Sequence, residues 1–188
     1  MSTSEELRRV VDKSLINDVM CRYARGIDRR DWGLVRSVFH DDSHNENGEY
    51  RGDADGFVEW IASRHAKVES SIHFLGNCLV EFFGEDTALV ETYFASGRGA
   101  SGAKSGDAAE ATKEDLSPVS FGRYVDRFER RNGEWRIAKR LLVFEAKFAL
   151  VVRPDNKNPL YAWATRDASD PVFRARAELM NRSGQTAG

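Results

Sequence analysis

Near residue 70 the hydrophobic pattern changes its period, and this change limits the architecture more than any other feature. Upstream, apolar residues recur at helical intervals: Leu7, Val10, Val11, Leu15, Ile16, Val19, Met20, Tyr23, Ala24 and Ile27. Thr3 to Glu6 has capping-box spacing, so one long helix, or two with a break near Ser14, runs to about Arg30. Asp31 is placed to cap a second short helix through Phe39. Asp53 caps a third, whose apolar side carries Phe57, Val58, Trp60 and Ile61. Downstream the period is two. Ser71–Phe83, Thr87–Ser96, Val119–Arg130 and Glu134–Leu150 read as strands. Gly84-Glu85-Asp86 joins the first two and Asn132-Gly133 the last two, the latter a strong hairpin signal. Helices first and an antiparallel meander afterwards predict an α+β fold.

Length and composition narrow the class. The 188 residues suit one domain with a sizeable core, with 41% hydrophobic side chains. Lys+Arg 28 against Asp+Glu 30 leaves a net charge of -2, without the basic excess of a nucleic-acid protein. Two cysteines, Cys21 and Cys78, build no disulfide framework, and a reducing compartment is the simplest expectation. No apolar run approaches membrane-spanning length, and the polar N-terminus lacks a signal-peptide core, so the expected location is cytoplasmic. Residues 97–117 interrupt the meander with a Gly/Ala/Ser-rich stretch. It reads as a disordered connection first and a mobile lid second. After Arg153 the chain is polar and Pro-rich until Asp170-Pro171, a good start for a final helix to about Asn181.

Signatures for dinucleotide cofactors, P-loops, zincins and hydrolase elbows are absent, and the histidine spacings match no standard metal site. His40 and His44 fall in an Asp/His/Asn-rich stretch that reads as a solvated turn. His65, near a helix end, is explained by complementing the helix dipole. His73 differs because it lies inside a strand. Strict alternation puts His73, Leu75, Asn77 and Leu79 on one face, and Ile72, Phe74, Cys78 and Val80 on the other. A histidine there is commonly a satisfied core residue unless a carboxylate partners it. Asp28, at a helix end among Arg25, Arg29 and Arg30, reads by itself as a surface carboxylate. Arg140 shares its strand face with Ala138, Leu142 and Phe144, so it needs a buried carboxylate or an anionic ligand.

Three segments together carry a family resemblance: Tyr23-x4-Asp28-x2-Asp31-Trp32, I-H-F-L-G-N at 72–77, and Y-V-D-R-F-E-R-R-N-G-E-W-R-I-A-K-R ending at Arg140. In their order and spacing the chain resembles the SnoaL-like branch of the nuclear-transport-factor-2-like superfamily over about residues 10 to 148. The resemblance implies a cone, with three N-terminal helices packed on a curved antiparallel sheet around an apolar pocket. Residues 1–150 would form it, with 97–117 as an insertion, and 151–188 would be a C-terminal extension with a short helix. It also implies His73 as general base, Asp28 as its orienter, and Arg140 and Tyr23 as the electrophilic side. One position departs: Ile72 replaces the first of two adjacent histidines found in many relatives.

A carboxylate on one imidazole nitrogen fixes the tautomer and raises the basicity of the other. Such a site needs no cofactor and no metal. It suits elimination of water from a hydrophobic cyclic or aromatic molecule, or deformylating carbon–carbon cleavage. An isomerase or cyclase of steroid- or polyketide-like substrates, and a non-catalytic ligand-binding module, are the alternatives. Expected substrate contacts are Asn77, Phe39, Trp60, Phe94, Phe121, Tyr124, Leu142 and Phe144, with His44 and Asn45 placed where a first short strand would enter the cone mouth. The expected partner is a small hydrophobic substrate, with no nucleic acid and no membrane. Relatives commonly pack sheet faces into dimers or trimers, so a homodimer or homotrimer is implied. Trp135 and Ile137, on the parity opposite Arg140, fit an interface or a helix-packing role.

Overall fold

The computed structural model describes residues 3–99, 116–151 and 160–185. The stretch expected to be a disordered loop or a lid lies mostly outside them. The elements are α1 (Thr3–Arg29), α2 (Trp32–Ser37), β1 (Phe39–Asn47), β2 (Tyr50–Gly52), α3 (Ala54–His65), β3 (Ser70–Phe82), β4 (Thr87–Gly99), β5 (Leu116–Arg131), β6 (Glu134–Val151) and α4 (Pro171–Gln185). Six strands form one curved, open sheet in the order β2-β1-β6-β5-β4-β3, with helices packed on its inner face.

α1 is unbroken at Ser14. It ends where Arg30 turns left-handed (φ 55°) and the Asp31 amide donates to the Gly26 carbonyl. The expected caps form: Asp31 accepts from the Leu34 amide and Asp53 from the Gly56 amide. Ile16, Val19, Met20, Tyr23 and Ile27 face the sheet and are buried. Leu7, Val10, Val11 and Leu15, which share the helical spacing, lie on the other side of α1 and are exposed. Buried Asp12 pins this half of α1 by accepting from Trp135 Nε1 and Arg130 Nη1, each at 2.9 Å.

Two features differ from the sequence expectation. The Asp/His/Asn-rich stretch is strand β1, which runs parallel to β6 and antiparallel to β2. Its side chains alternate, burying Ser43, Asn45 and Asn47, and His40 is buried with Nε2 2.9 Å from the Glu129 carbonyl. Polar composition masked all but the short strand expected at His44 and Asn45, whereas β1 runs over Phe39–Asn47 with its backbone paired on both sides.

The second difference concerns parity. β-Bulges break the alternation of β3 between Leu75 and Cys78, and of β6 beside Ala138 and beside Glu145. An extra residue shifts every later side chain to the opposite face. Cys78 and Val80 therefore join His73 inside, while Asn77 and Leu79 turn out to solvent. Trp135 and Ile137 lie on the same inner side as Arg140, buried under the helices, and not on the outer face. The β5–β6 hairpin forms as expected, with both turn residues at positive φ, Asn132 at 53° and Gly133 at 82°. Among the described residues no helix is long and apolar enough to cross a membrane.

Candidate active site

Cross-strand register stacks the inner sheet face into rows. The deepest holds Phe82, Ala88, Phe128 and Ile137, with Phe39 of β1 beside Ile137, and the next holds Val80, Val90, Asp126 and Arg140, with Asn45 of β1 beside Arg140. Above it lie Cys78, Thr92, Tyr124 and Leu142, then Leu75, Phe94, Gly122 and Phe144. The next row is polar: His73, Ser96, Ser120 and Lys147, with Ser71 opposite Arg98 beyond it. At Gly122 a Cβ would clash with the Val143 backbone carbonyl oxygen and lie 3.0 Å from the Phe94 ring, which stacks on Tyr124 at 4.6 Å. The upper rows and α3 enclose a cavity of about 560 Å³. Tyr23, Phe57, Trp60, Ile61, Phe94, Tyr124, Leu142 and Phe144 give it apolar walls.

His73 and Asp28 meet at its wall. Asp28 ends the last turn of α1, while Ser71 and His73 alternate on the inner side of β3, so both reach one carboxylate. Asp28 Oδ1 lies 2.7 Å from His73 Nδ1 and accepts from Ser71 Oγ at 2.9 Å, and Oδ2 accepts from the His73 amide at 2.8 Å. Burial by itself would raise the Asp28 pKa. The His73 ring, charge and amide, with Ser71, outweigh it and hold the carboxyl below its ordinary value. An ionised carboxylate only accepts, so Nδ1 is the donor, and in the neutral ring the lone pair is on Nε2.

Arg140 is fully buried and does not line the cavity. Its Nε and Nη2 donate to Asp126 at 2.8 and 2.6 Å, and its guanidinium stacks 4.2 Å from both the Tyr23 and Tyr124 ring centres. Of the two partners that its apolar strand face called for, it has the buried carboxylate, and the tyrosines in front of it line the cavity. Burial raises both phenols above their ordinary pKa, against the opposing charge of Arg140, so both stay protonated donors at neutral pH.

Of the expected contacts, Trp60, Phe94, Tyr124, Leu142 and Phe144 line the cavity. Five do not. Phe39 is core, stacked edge-on against Tyr23. Phe121 lies on the outer sheet face against Phe148, and Asn77 is turned outward by the bulge. His44 is an exposed neighbour of Glu46, and Asn45 is buried in the sheet behind the cavity. His65 is no cation at the helix end. Burial, then the charge of Arg166, pushes its pKa down to about 4, so it is neutral and faces the cavity.

Arg166 escaped the sequence reading because nothing in a polar tail marks it. It is buried, and its guanidinium donates to the carbonyls of Ile27 (2.7 Å), Asp28 (2.9 Å) and Val68 (2.7 Å) and to His65 Nδ1 (2.9 Å). Arg29 and Asp170 add an ion pair at 3.0 Å. The segment before α4 is thereby fastened to the end of α1 that carries Asp28.

The SnoaL-like domain family matches residues 8–141, most of the chain. The chain belongs to the SnoaL-like family. Its fold is shared with solved structures of low identity. A hexachlorocyclohexane dehydrochlorinase, LinA Type2, superposes with TM-score 0.68 at 18% identity over 81% of this chain and 99% of its own. A putative scytalone dehydratase from Novosphingobium aromaticivorans gives 0.63 at 16% over 80% and 97%. A variant of Rv3472, a function-unknown protein from Mycobacterium tuberculosis, gives 0.61 at 21% and spans 96% of this chain and 92% of its own. These likenesses establish the NTF2-like fold. No curated protein sequence matches the chain.

Proposed function

We propose that this SnoaL-like protein is a cofactor-independent lyase acting on a hydrophobic cyclic or aromatic small molecule. The observation that carries the reading is the Asp28–His73 pair, at 2.7 Å, set in the wall of an aromatic-lined cavity. His73 Nε2 takes a proton from carbon. Asp28 holds the tautomer and stabilises the imidazolium that forms. The electron pair left on carbon expels the leaving oxygen, which takes a proton from Tyr23 or Tyr124. Arg140 behind them favours charge developing at that oxygen. Elimination of water follows this course. Deformylating cleavage uses the same groups: His73 takes the hydroxyl proton, the carbon–carbon bond breaks to release formaldehyde, and its electron pair forms the new double bond as the leaving oxygen departs with a proton from Tyr23 or Tyr124. The dehydrochlorinase and putative dehydratase names of two structural neighbours accord with elimination.

Assembly into a homodimer or homotrimer through the outer sheet face belongs to the same reading, because Ile72, Phe74, Phe121 and Phe148 leave that face apolar and exposed. The test is turnover of a panel of phenolic, steroidal and polyketide-like compounds with products weighed by mass spectrometry. His73→Ala and Asp28→Asn are each expected to lower kcat by about 10²–10⁴-fold while the fold survives. Full activity in both variants refutes the assignment, and a product of unchanged mass makes the chain an isomerase.

A further inference from the structure

The charges around the cavity do not cancel. Five ionised side chains line it beside the Asp28–His73 pair: Glu49, Arg64, Arg98, Glu145 and Lys147. Both acids are already engaged, Glu49 with Arg64 at 2.5 Å and Glu145 with Arg123 of the outer face at 3.2 Å. Two cations remain, Arg98 and Lys147, and among the described residues neither has a carboxylate partner. Burial pushes the Arg98 pKa down, and the nearby positive charge of Arg64 pushes it the same way, the condition of a guanidinium that lacks an anion.

Register fixes where these cations stand. Arg98 is directly opposite Ser71, and Ser96 directly opposite His73, so Arg98 is a diagonal neighbour of His73 on the same face. Such neighbours stand roughly 7–8 Å apart at the backbone, within reach of a long side chain. The row continues from Ser96 to Ser120 and on to Lys147. Two hydroxyls thus lie between two cations, while the aromatic rows of Phe94, Phe144, Tyr124 and Leu142 lie deeper.

Resting on the lyase reading of this cavity, we infer that Arg98, with Lys147 and the hydroxyls of Ser96 and Ser120, forms a carboxylate subsite, so that the substrate class is an aryl carboxylic acid. The planar guanidinium fork matches a carboxylate, which an aromatic cavity otherwise repels. With the acid held in the polar row and the ring in the aromatic rows, His73 faces the part of the molecule that joins them.

Binding tests this apart from turnover. The probes are biphenyl-4-carboxylate and its neutral isostere biphenyl-4-carboxamide, titrated calorimetrically against the full chain. The acid is expected to bind at least ~10-fold more tightly than the amide. Arg98→Gln is expected to abolish that preference and Lys147→Gln to reduce it. His73→Ala, which removes the base, is expected to keep it. Equal affinities, no binding of the acid at millimolar concentration, or a preference that survives in Arg98→Gln overturns the inference. A preference lost in Arg98→Gln, together with turnover intact in His73→Ala, would leave the subsite standing and remove the catalytic assignment instead.

Discussion

Replacing Arg166 by Met keeps the length of the side chain and removes a cation that donates to four acceptors. Two are the last carbonyls of α1, those of Ile27 and Asp28. An acid at a helix C-terminus sits in the unfavourable end of the helix dipole, and Asp28 is such an acid. Arg166 opposes both the exposed carbonyls and the carboxylate charge. A charge-assisted hydrogen bond contributes about 1.5–3 kcal/mol net. Four do not add, because Arg30 also donates to the Val68 carbonyl at 2.6 Å and water can reach part of the vacated site. The expected loss is about 3 kcal/mol, roughly a hundredfold in the folding equilibrium. Urea denaturation of Arg166→Met and Arg166→Lys measures it. The Lys variant, a single ammonium without the fork, is expected to recover less than half. The His73 ring signals in nitrogen-detected NMR serve as a second readout, since loosening Asp28 should weaken the Nδ1 hydrogen bond. A Met variant within about 0.5 kcal/mol of the parent, with His73 signals unmoved, would refute the clamp.

Asp126→Asn leaves Arg140 buried without its counter-charge and should cost about 3–5 kcal/mol, whereas Asp126→Leu with Arg140→Met should cost less than either single change; urea midpoints decide. His65 gives a pH signature. Its folded pKa of about 4 is below the unfolded value, so the unfolded chain takes up the proton first as pH falls. Stability therefore drops from about pH 6.5 to about pH 4, by at most about 3 kcal/mol before discounting residual solvent screening. His65→Gln should flatten that part of the stability–pH curve, and an unchanged slope would contradict the burial account. Gly122→Ala should push back the Val143 carbonyl of β6 as well as Phe94 and cost at least about 1–3 kcal/mol, with near-ultraviolet circular dichroism reporting the altered Phe94–Tyr124 stack.

Local rules read well from the chain. The Asp31 and Asp53 caps, the Asn132-Gly133 hairpin and four of the six strands follow from interactions within a few residues, which sequence spacing encodes directly. The pairing of Asp28 with His73 was legible only through the family pattern, because 45 residues separate them and each has an unremarkable local setting. Arg140 is the instructive middle case. Its apolar strand face demanded a partner, and the partner is Asp126, but no local signal said that Tyr23 and Tyr124 would screen it from the cavity.

The parts that escaped depend on contacts between segments distant in sequence. A bulge adds a single residue whose effect is to invert every side chain beyond it. Period-two reasoning therefore placed Asn77 inside and Trp135 and Ile137 opposite Arg140, and all three lie on the other side. Most of β1 beyond the short strand expected at His44 and Asn45 was hidden by polar residues because its pairing with β2 and β6 is a long-range choice, and Arg166 by a tail whose contacts with α1 lie about 140 residues upstream. The sequence alone determined the helices, the four strands of the meander, their order and the family resemblance, since periodicity and capping act over one or two turns of chain. Which side chains share the cavity was decided only by the folded sheet, because bulges and register set the facing of each residue through hydrogen bonds between strands distant in sequence.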